Sequence, residues 1–342
     1  MIRALEWIDE DAALRIIDQT ALPAQERRVD ITTVDSLVDA IITLAVRGAP
    51  ALGAAGAFGV VIALRQAKAE GWSQSRLADE VDRIRGARPT AVNLAWGVDQ
   101  AWAVAPAGEL AALQCAKRIM VDDEAANRCL SKLGADWLLH QVGKPVINVV
   151  THCNTGGLAT TAWGTAYGII HELHTRAALG MVYADETRPL LQGARLTSWE
   201  LTQDGITHMI EADGAASSTI LSGRVDAAII GADRIASNGD TANKIGSVAL
   251  ALACQRARIP FVVAAPFSTV DTSIRDGGEI AIEQRDQKEV LEFAKDRTAP
   301  EGAVGFNPAF DVTPHDLISA IVTERGVVEP SRHDDSLSAL FT

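Results

Sequence analysis

The apolar positions along the chain change period twice, and the changes divide it into three stretches. Residues 1–31 hold short apolar runs broken by turns, "IRALEWI", "ALRIIDQT" and "RRVDIT", which predict a small strand meander. Across residues 34–143 the apolar positions recur at helical spacing. "TTVDSLVDAIITLAV" opens on a threonine suited to cap a helix, and Pro50 suits the first turn of the next, "PALGAAGAFGVVIALRQAKAEG". Gly53, Gly56 and Gly59 lie on or near one face of that helix, where the simplest reason for glycine is close helix packing. From Lys144 onward, short continuous apolar runs ("KPVINVV", "LGMVYAD", "ITHMIEA", "DAAIIGA", "PFVVAAP") alternate with helical segments. That grammar predicts a parallel sheet covered on both faces. The expected architecture is therefore α/β: a small-sheet plus helical domain over residues 1–143, then a doubly wound, Rossmann-like domain over 144–342.

Composition narrows the function classes. With 31 Lys and Arg against 44 Asp and Glu the formal net charge is −13, which argues against nucleic acid as a partner. The four cysteines are widely spaced, form no CxxC pair and suit a reducing, cytoplasmic setting. The N-terminal residues lack the pattern of a signal peptide, and the Gly- and Ala-rich run at 51–64 reads as too short to span a bilayer, so no membrane partner is expected. No two of the 27 glycines stand two apart, so the dinucleotide fingerprint is missing, and no phosphate-binding G-x-x-x-x-G-K-[ST] loop occurs. "HELH" places His171 and His174 three apart on a helix without a third ligand, so no metal site is expected there.

In a doubly wound sheet, ligands bind beyond the carboxyl ends of the strands. This selects residues 151–157, 185–188, 213–214, 231–234 and 266–269. "THCNTGG" puts Cys153 after a strand and before a presumed helix, where the positive end of a helix dipole would favour thiolate. A buried, inert thiol is the competing reading. Asp233, after "AIIGA", could be a general acid or base in an apolar setting, or a helix cap or ion-pair partner of Arg234. Asn243 and Lys244 in "DTANKIGS" read as a helix start able to hold phosphate or hydroxyls, with a solvated surface charge as the plainer account of Lys244. Arg47 in "VRGAPA" and Arg88 in "GARPTAVNLAWG" stand at helix boundaries. With Lys244 they would make a local phosphate clamp on an acidic protein, although each alone could be an ordinary surface arginine.

The segments "VRGAPALGAAGAFGV", "RPTAVNLAWG", "THCNTGGLATTAWGTAYGII", "VYADETRPLLQGARLTSWEL", "GADRIASNGDTANKIGS" and "NPAFDVTP" together resemble the methylthioribose-1-phosphate isomerases, in the same order and over nearly the whole chain. The wider family includes ribose-1,5-bisphosphate isomerase and non-catalytic regulatory subunits of a translation-initiation exchange factor. The resemblance implies an aldose–ketose isomerisation in methionine salvage, without metal, nucleotide or other cofactor, by a cytoplasmic homodimer acting on a small phosphorylated sugar. It places the catalytic cysteine on Cys153 and the catalytic acid on Asp233, and substrate-binding positions on Arg47, Gly48, Ala49, Arg88, Gln192, Asn243 and Lys244. Two departures stand out: Gly157 where alanine is common, and Tyr167 where leucine is common. They bear on the 5-substituent, so 5-deoxyribose 1-phosphate is an alternative substrate.

Overall fold

In the computed structural model, which describes residues 2–88, 92–293, 296–330 and 337, the chain forms two compact units. The first comprises Met1–Arg128 with Thr155–Gly164, and the second Cys129–Asn154 with Thr165–Thr342.

The first unit begins with the expected meander, an antiparallel sheet of β1 (Leu5–Ile8), β2 (Ala13–Ile17) and β3 (Arg28–Ile31). Helices α1 (Val34–Ile42), α2 (Ala49–Glu70), α3 (Gln74–Gly86) and α4 (Val92–Val104) follow, then α5 (Glu109–Val142), whose residues from Cys129 on belong to the second unit. Thr33 caps α1: its Oγ1 accepts the Ser36 N–H at 3.2 Å, a bond of the kind worth about 1 kcal/mol. By length and composition α2 could cross a membrane, but every residue from Ala51 to Ala63 is buried in the core of its unit. A helix apolar all round is the signature of such a position. Its glycines explain how it is wrapped. A Cβ on Gly97 of α4 would lie 1.9 Å from Gly53 O, and one on Gly56 would lie 2.7 Å from Leu94 O, so α2 and α4 touch backbone to backbone. Gly59 is equally tight against Leu37 and Ile84.

The second unit is built on a seven-stranded sheet. Its strands are β4 (Ile147–Thr151), β5 (Leu179–Asp185), β6 (His208–Glu211), β7 (Ala227–Ile230), β10 (Phe261–Ala264), β15 (Ala320–Thr323) and β16 (Gly326–Val328). The spatial order is β16-β15-β10-β7-β4-β5-β6, parallel throughout except for β16 at the edge. Alternate residues serve opposite faces. Val149, Ile229, Val262 and Val322 pack with α6 (Ala166–Thr175) and the last turns of α5. Val150, Ile230, Val263 and Ile321 pack with α8 (Ala216–Leu221) and α9 (Ser247–Ala257). Helix α7 (Ser198–Gln203) follows a π turn at Gly193–Thr197.

A second, four-stranded sheet, in order β11-β8-β9-β14, joins β8 (Arg234–Ala236), β9 (Thr241–Lys244), β11 (Val270–Asp271) and β14 (Phe310–Thr313). A short helix α10 (Lys288–Leu291) and the two-residue strands β12 (Glu292–Phe293) and β13 (Asp296–Arg297) complete the unit.

Candidate active site

Strand order locates the switch point of the sheet. From β4 the chain winds outward through β5 and β6, then returns to β7 on the other side of β4 and continues through β10 and β15. Ligands bind beyond the carboxyl ends at such a reversal. Thr151, the last residue of β4, pairs with Ile229 of β7. Cys153 therefore lies in the loop beyond one of the two switch strands, and Asp233 lies in the loop beyond the other.

Cys153 is 7 % exposed and adopts φ +65°. Left-handed backbone at a non-glycine residue persists only where neighbours over-determine it. They do so here. The Cys153 N–H donates to Thr187 Oγ1 at 2.9 Å, and its carbonyl accepts from Thr197 Oγ1 at 2.6 Å. Thr187 Oγ1 in turn donates to the Asp185 carbonyl at 3.0 Å, and the Thr187 and Arg188 N–H groups donate to the two oxygens of Asp213. Asn154, next in the chain, is buried and donates to buried Glu200 Oε1 at 2.7 Å. The expected helix does not follow at once: α6 begins only at Ala166, and Thr155–Gly164 belong to the first unit. A helix dipole fades within its first turn, so α6 does not bring the positive helix end expected beside Cys153.

On the other switch strand, Asp233 is exposed, with its N–H donating to the Ala242 carbonyl at 2.9 Å. Its exposure does not supply the apolar setting that an acid or base role would need. Arg234 lies 3.8 Å from Asp271. Asn243 and Lys244 end strand β9 and do not start a helix; α9 begins at Ser247. Both are buried. Asn243 Nδ2 donates to Ser247 Oγ at 2.9 Å, while Lys244 Nζ donates to the Ala309 carbonyl at 2.8 Å and sits 4.5 Å from the centre of the Phe310 ring. Lys244 is thus no solvated surface charge.

Gln192 is 6 % exposed, and its Oε1 has no hydrogen-bond partner among the described residues. A buried acceptor left open is costly unless something fills it, and a ligand hydroxyl would. The Tyr167 hydroxyl donates to Asp204 Oδ2 at 2.8 Å, so its need for a partner is met.

The remaining sequence candidates lie in the first unit. Half-buried Arg47 immediately precedes α2, and Gly48 is the residue before its first turn, at φ +97°. A Cβ there would lie 2.2 Å from the Ala159 carbonyl oxygen, so this position admits only glycine without rearrangement. Ala49 opens the helix, and Arg88 follows the end of α3.

Sequence reasoning missed His152. It is 1 % exposed, with Nδ1 2.7 Å from Asp185 Oδ2 and Nε2 2.8 Å from the Ile245 carbonyl oxygen. Burial opposes a charge on the imidazole, but the bond to Asp185 and its charge outweigh it and lift His152 above its ordinary value. Burial lifts the Asp185 carboxyl too. Ligand atoms of His152, Asp185 and Asp213 fall within 4.8 Å of one another, but all three residues are already engaged in the bonds just described.

A profile described as the initiation factor 2 subunit family matches residues 45–330. The chain belongs to this family. Within the family it is similar to the methylthioribose-1-phosphate isomerase of Alkalilimnicola ehrlichii, at 49% identity over 96% of this chain and 94% of that one. It is 48% identical, over 95% of its length, to a Nocardia farcinica protein named "Probable bifunctional methylthioribose-1-phosphate isomerase/methylthioribulose-1-phosphate dehydratase", of which it spans 59%. Among solved family structures, 5-methylthioribose 1-phosphate isomerase from Pyrococcus horikoshii superimposes with a TM-score of 0.88 at 37% identity, covering 100% of this chain and 96% of that one.

Proposed function

We propose that this chain is the aldose–ketose isomerase that converts 5-methylthioribose 1-phosphate to 5-methylthioribulose 1-phosphate in methionine salvage, with Cys153 and Asp233 as its reacting groups. The observation that carries the reading is the placement of these two residues beyond β4 and β7, the paired strands of the switch point. Family relatives of matching length are named for this reaction.

The substrate's anomeric oxygen carries phosphate, so the sugar ring cannot open by losing an anomeric proton. An acid must protonate the ring oxygen as its bond to C1 breaks, and Asp233 is that acid. Bound substrate, by covering Asp233, supplies the desolvation that exposure withholds from the free chain. Hydrogen then moves from C2 to C1. In one course the Cys153 sulfur, as thiolate, takes the C2 proton and an enol-type intermediate is reprotonated at C1. In the other, hydride shifts directly and Cys153 steadies the charge. Gln192 Oε1 accepts a substrate hydroxyl, Asn243 orients another, and Arg47, Arg88 and Lys244 hold the phosphate. Such alignment supplies a large part of the rate. The proposal includes a homodimer in the cytoplasm, checked by light scattering and fractionation.

The test is to incubate the protein with the methylthio, 5-deoxy and 1,5-bisphosphate sugars in deuterated water and follow ketose formation. Turnover of the methylthio sugar is expected. Deuterium at product C1 selects proton transfer; its absence selects hydride shift or a shielded proton. Near-normal turnover by Cys153→Ser would remove Cys153 from the chemistry.

A further inference from the structure

The mechanism above leaves one buried titratable pair unused. His152 lies between the last residue of β4 and Cys153, and its two ring nitrogens face two acceptors. The Ile245 carbonyl can only accept, so Nε2 carries a hydrogen. A bare Nδ1 would set its lone pair against a carboxylate at 2.7 Å, so a proton lies there too. The couple is therefore imidazolium with carboxylate or imidazole with carboxylic acid, neutral as a pair in either form.

Three segments meet on this ring. The first carries Cys153. The second starts at Asp185 and brings round Gln192, whose neighbour Gly193 is pressed so close that a Cβ on it would lie 1.7 Å from Asp185 O. The third is Ile245–Gly246, directly after Asn243 and Lys244; Gly246 holds φ +111°, and a Cβ there would lie 2.8 Å from His152 Cε1. Two carboxylates near the couple hold backbone N–H groups. Asp213 accepts from Thr187 and Arg188, and Asp311 Oδ2 accepts the Gly246 and Val248 N–H groups at 2.8 and 3.2 Å.

We propose that the His152–Asp185 couple is the positioning device of the site: through its two hydrogen bonds, and not through charge, it fixes Cys153 relative to the strand ends that carry Gln192, Asn243 and Lys244. The proposal rests on the isomerase reading for its kinetic arm. Asp185→Asn separates bonds from charge. Its amide N–H can donate to Nδ1 of a neutral imidazole whose Nε2–H stays on Ile245, so both bonds survive and the shared proton does not. Asp185→Ala removes the Nδ1 bond.

The experiment measures kcat, KM, melting temperature and, by mass spectrometry, the rate at which iodoacetamide modifies Cys153 in wild type and both variants. Asp185→Ala is expected to lose about a hundredfold in kcat, the scale of an ångström's misplacement, while KM moves far less. Asp185→Asn is expected to stay within about fivefold of wild type, the loss of roughly one weakened hydrogen bond, with an unshifted pH profile. Cys153 labelling should change in the alanine variant and not in the asparagine one. Unchanged kcat in Asp185→Ala, or a loss in Asp185→Asn as deep as in the alanine variant, overturns the proposal. Should Asp185→Ala not fold, Asp185→Asn decides alone, since its collapse would assign the role to charge. Should wild type not convert the methylthio sugar, the isomerase reading fails, and the labelling comparison still tests the positioning.

Discussion

Thr187→Val isolates the bond that holds the Cys153 backbone in place. Thr187 is fully buried and sits at φ +65°. Valine keeps the branched shape, so the strain of the left-handed backbone is common to both residues and only the hydroxyl is lost. That hydroxyl accepts the Cys153 N–H at 2.9 Å and donates to the Asp185 carbonyl at 3.0 Å. A buried N–H left without an acceptor costs about 1–3 kcal/mol, and the weakened carbonyl adds up to about 1 kcal/mol. The sum, about 1–4 kcal/mol, corresponds to a fall in Tm of about 2–16 °C for a unit of roughly 200 residues. Because the freed group is the backbone of Cys153 itself, kcat should fall at least about tenfold, more than the change in KM. Thr187→Ser restores the hydroxyl without the methyl and should recover most of both. Differential scanning calorimetry and steady-state kinetics on the three proteins make the test. A valine variant with wild-type Tm and kcat, or a serine variant as impaired as valine, would refute the reasoning.

In the first unit, Gly48→Ala places a methyl where the Ala159 carbonyl stands, at a φ that itself costs about 1–3 kcal/mol. Melting temperature should drop and KM should rise more than kcat falls; an unchanged KM would remove Gly48 from the substrate-binding set. Asp240→Asn tests an acid dependence. Burial alone would raise this carboxyl, but bonds from Asn238, the Gly277 N–H and His315 outweigh it and hold it below its ordinary 3.8. The unfolded chain therefore binds the proton more readily, so the stabilisation is full above 3.8 and is lost as pH falls through the depressed value. Urea unfolding across that acid range should show a flatter pH dependence for the variant, and identical slopes would contradict the assignment.

Periodicity revealed the frame because burial on both faces imposes it. Val149 and Val150 point to opposite cores, so β4 must be apolar at every position that matters, and a continuous apolar run is readable without a structure. The second sheet was not readable in this way. All four residues of β9, "TANK", are buried, yet two of them are strongly polar and their burial is made tolerable by Ser247, Ala309 and the Phe310 ring, all distant from the run or outside its pattern. No local rule distinguishes such a strand from the first turn of a helix. Residues 155–164 show the same limit: their Gly, Thr and Ala content suits a helix lead-in, but Ala159, pressed against Gly48, packs with the first unit instead.

The site divides along the same line. Cys153, Asp233 and Gln192 were found by their position after strands or by the order of motifs, both of which are written in the sequence. His152 was invisible because its meaning lies in its two partners, Asp185 and Ile245, which belong to other segments. A histidine beside a cysteine carries no signal until both its nitrogens are seen to face acceptors. The same holds for the conformation of Cys153: a left-handed φ at a cysteine is disfavoured locally, and it exists because Thr187 and Thr197 take up its N–H and C=O. The residues proposed to react can thus be read from where strands end, whereas the residues that hold them must be read from bonds closed across the sheet. It follows that substitutions that remove the bonding group at Thr187, Thr197 or Asp185 should damage turnover without touching a group proposed to react.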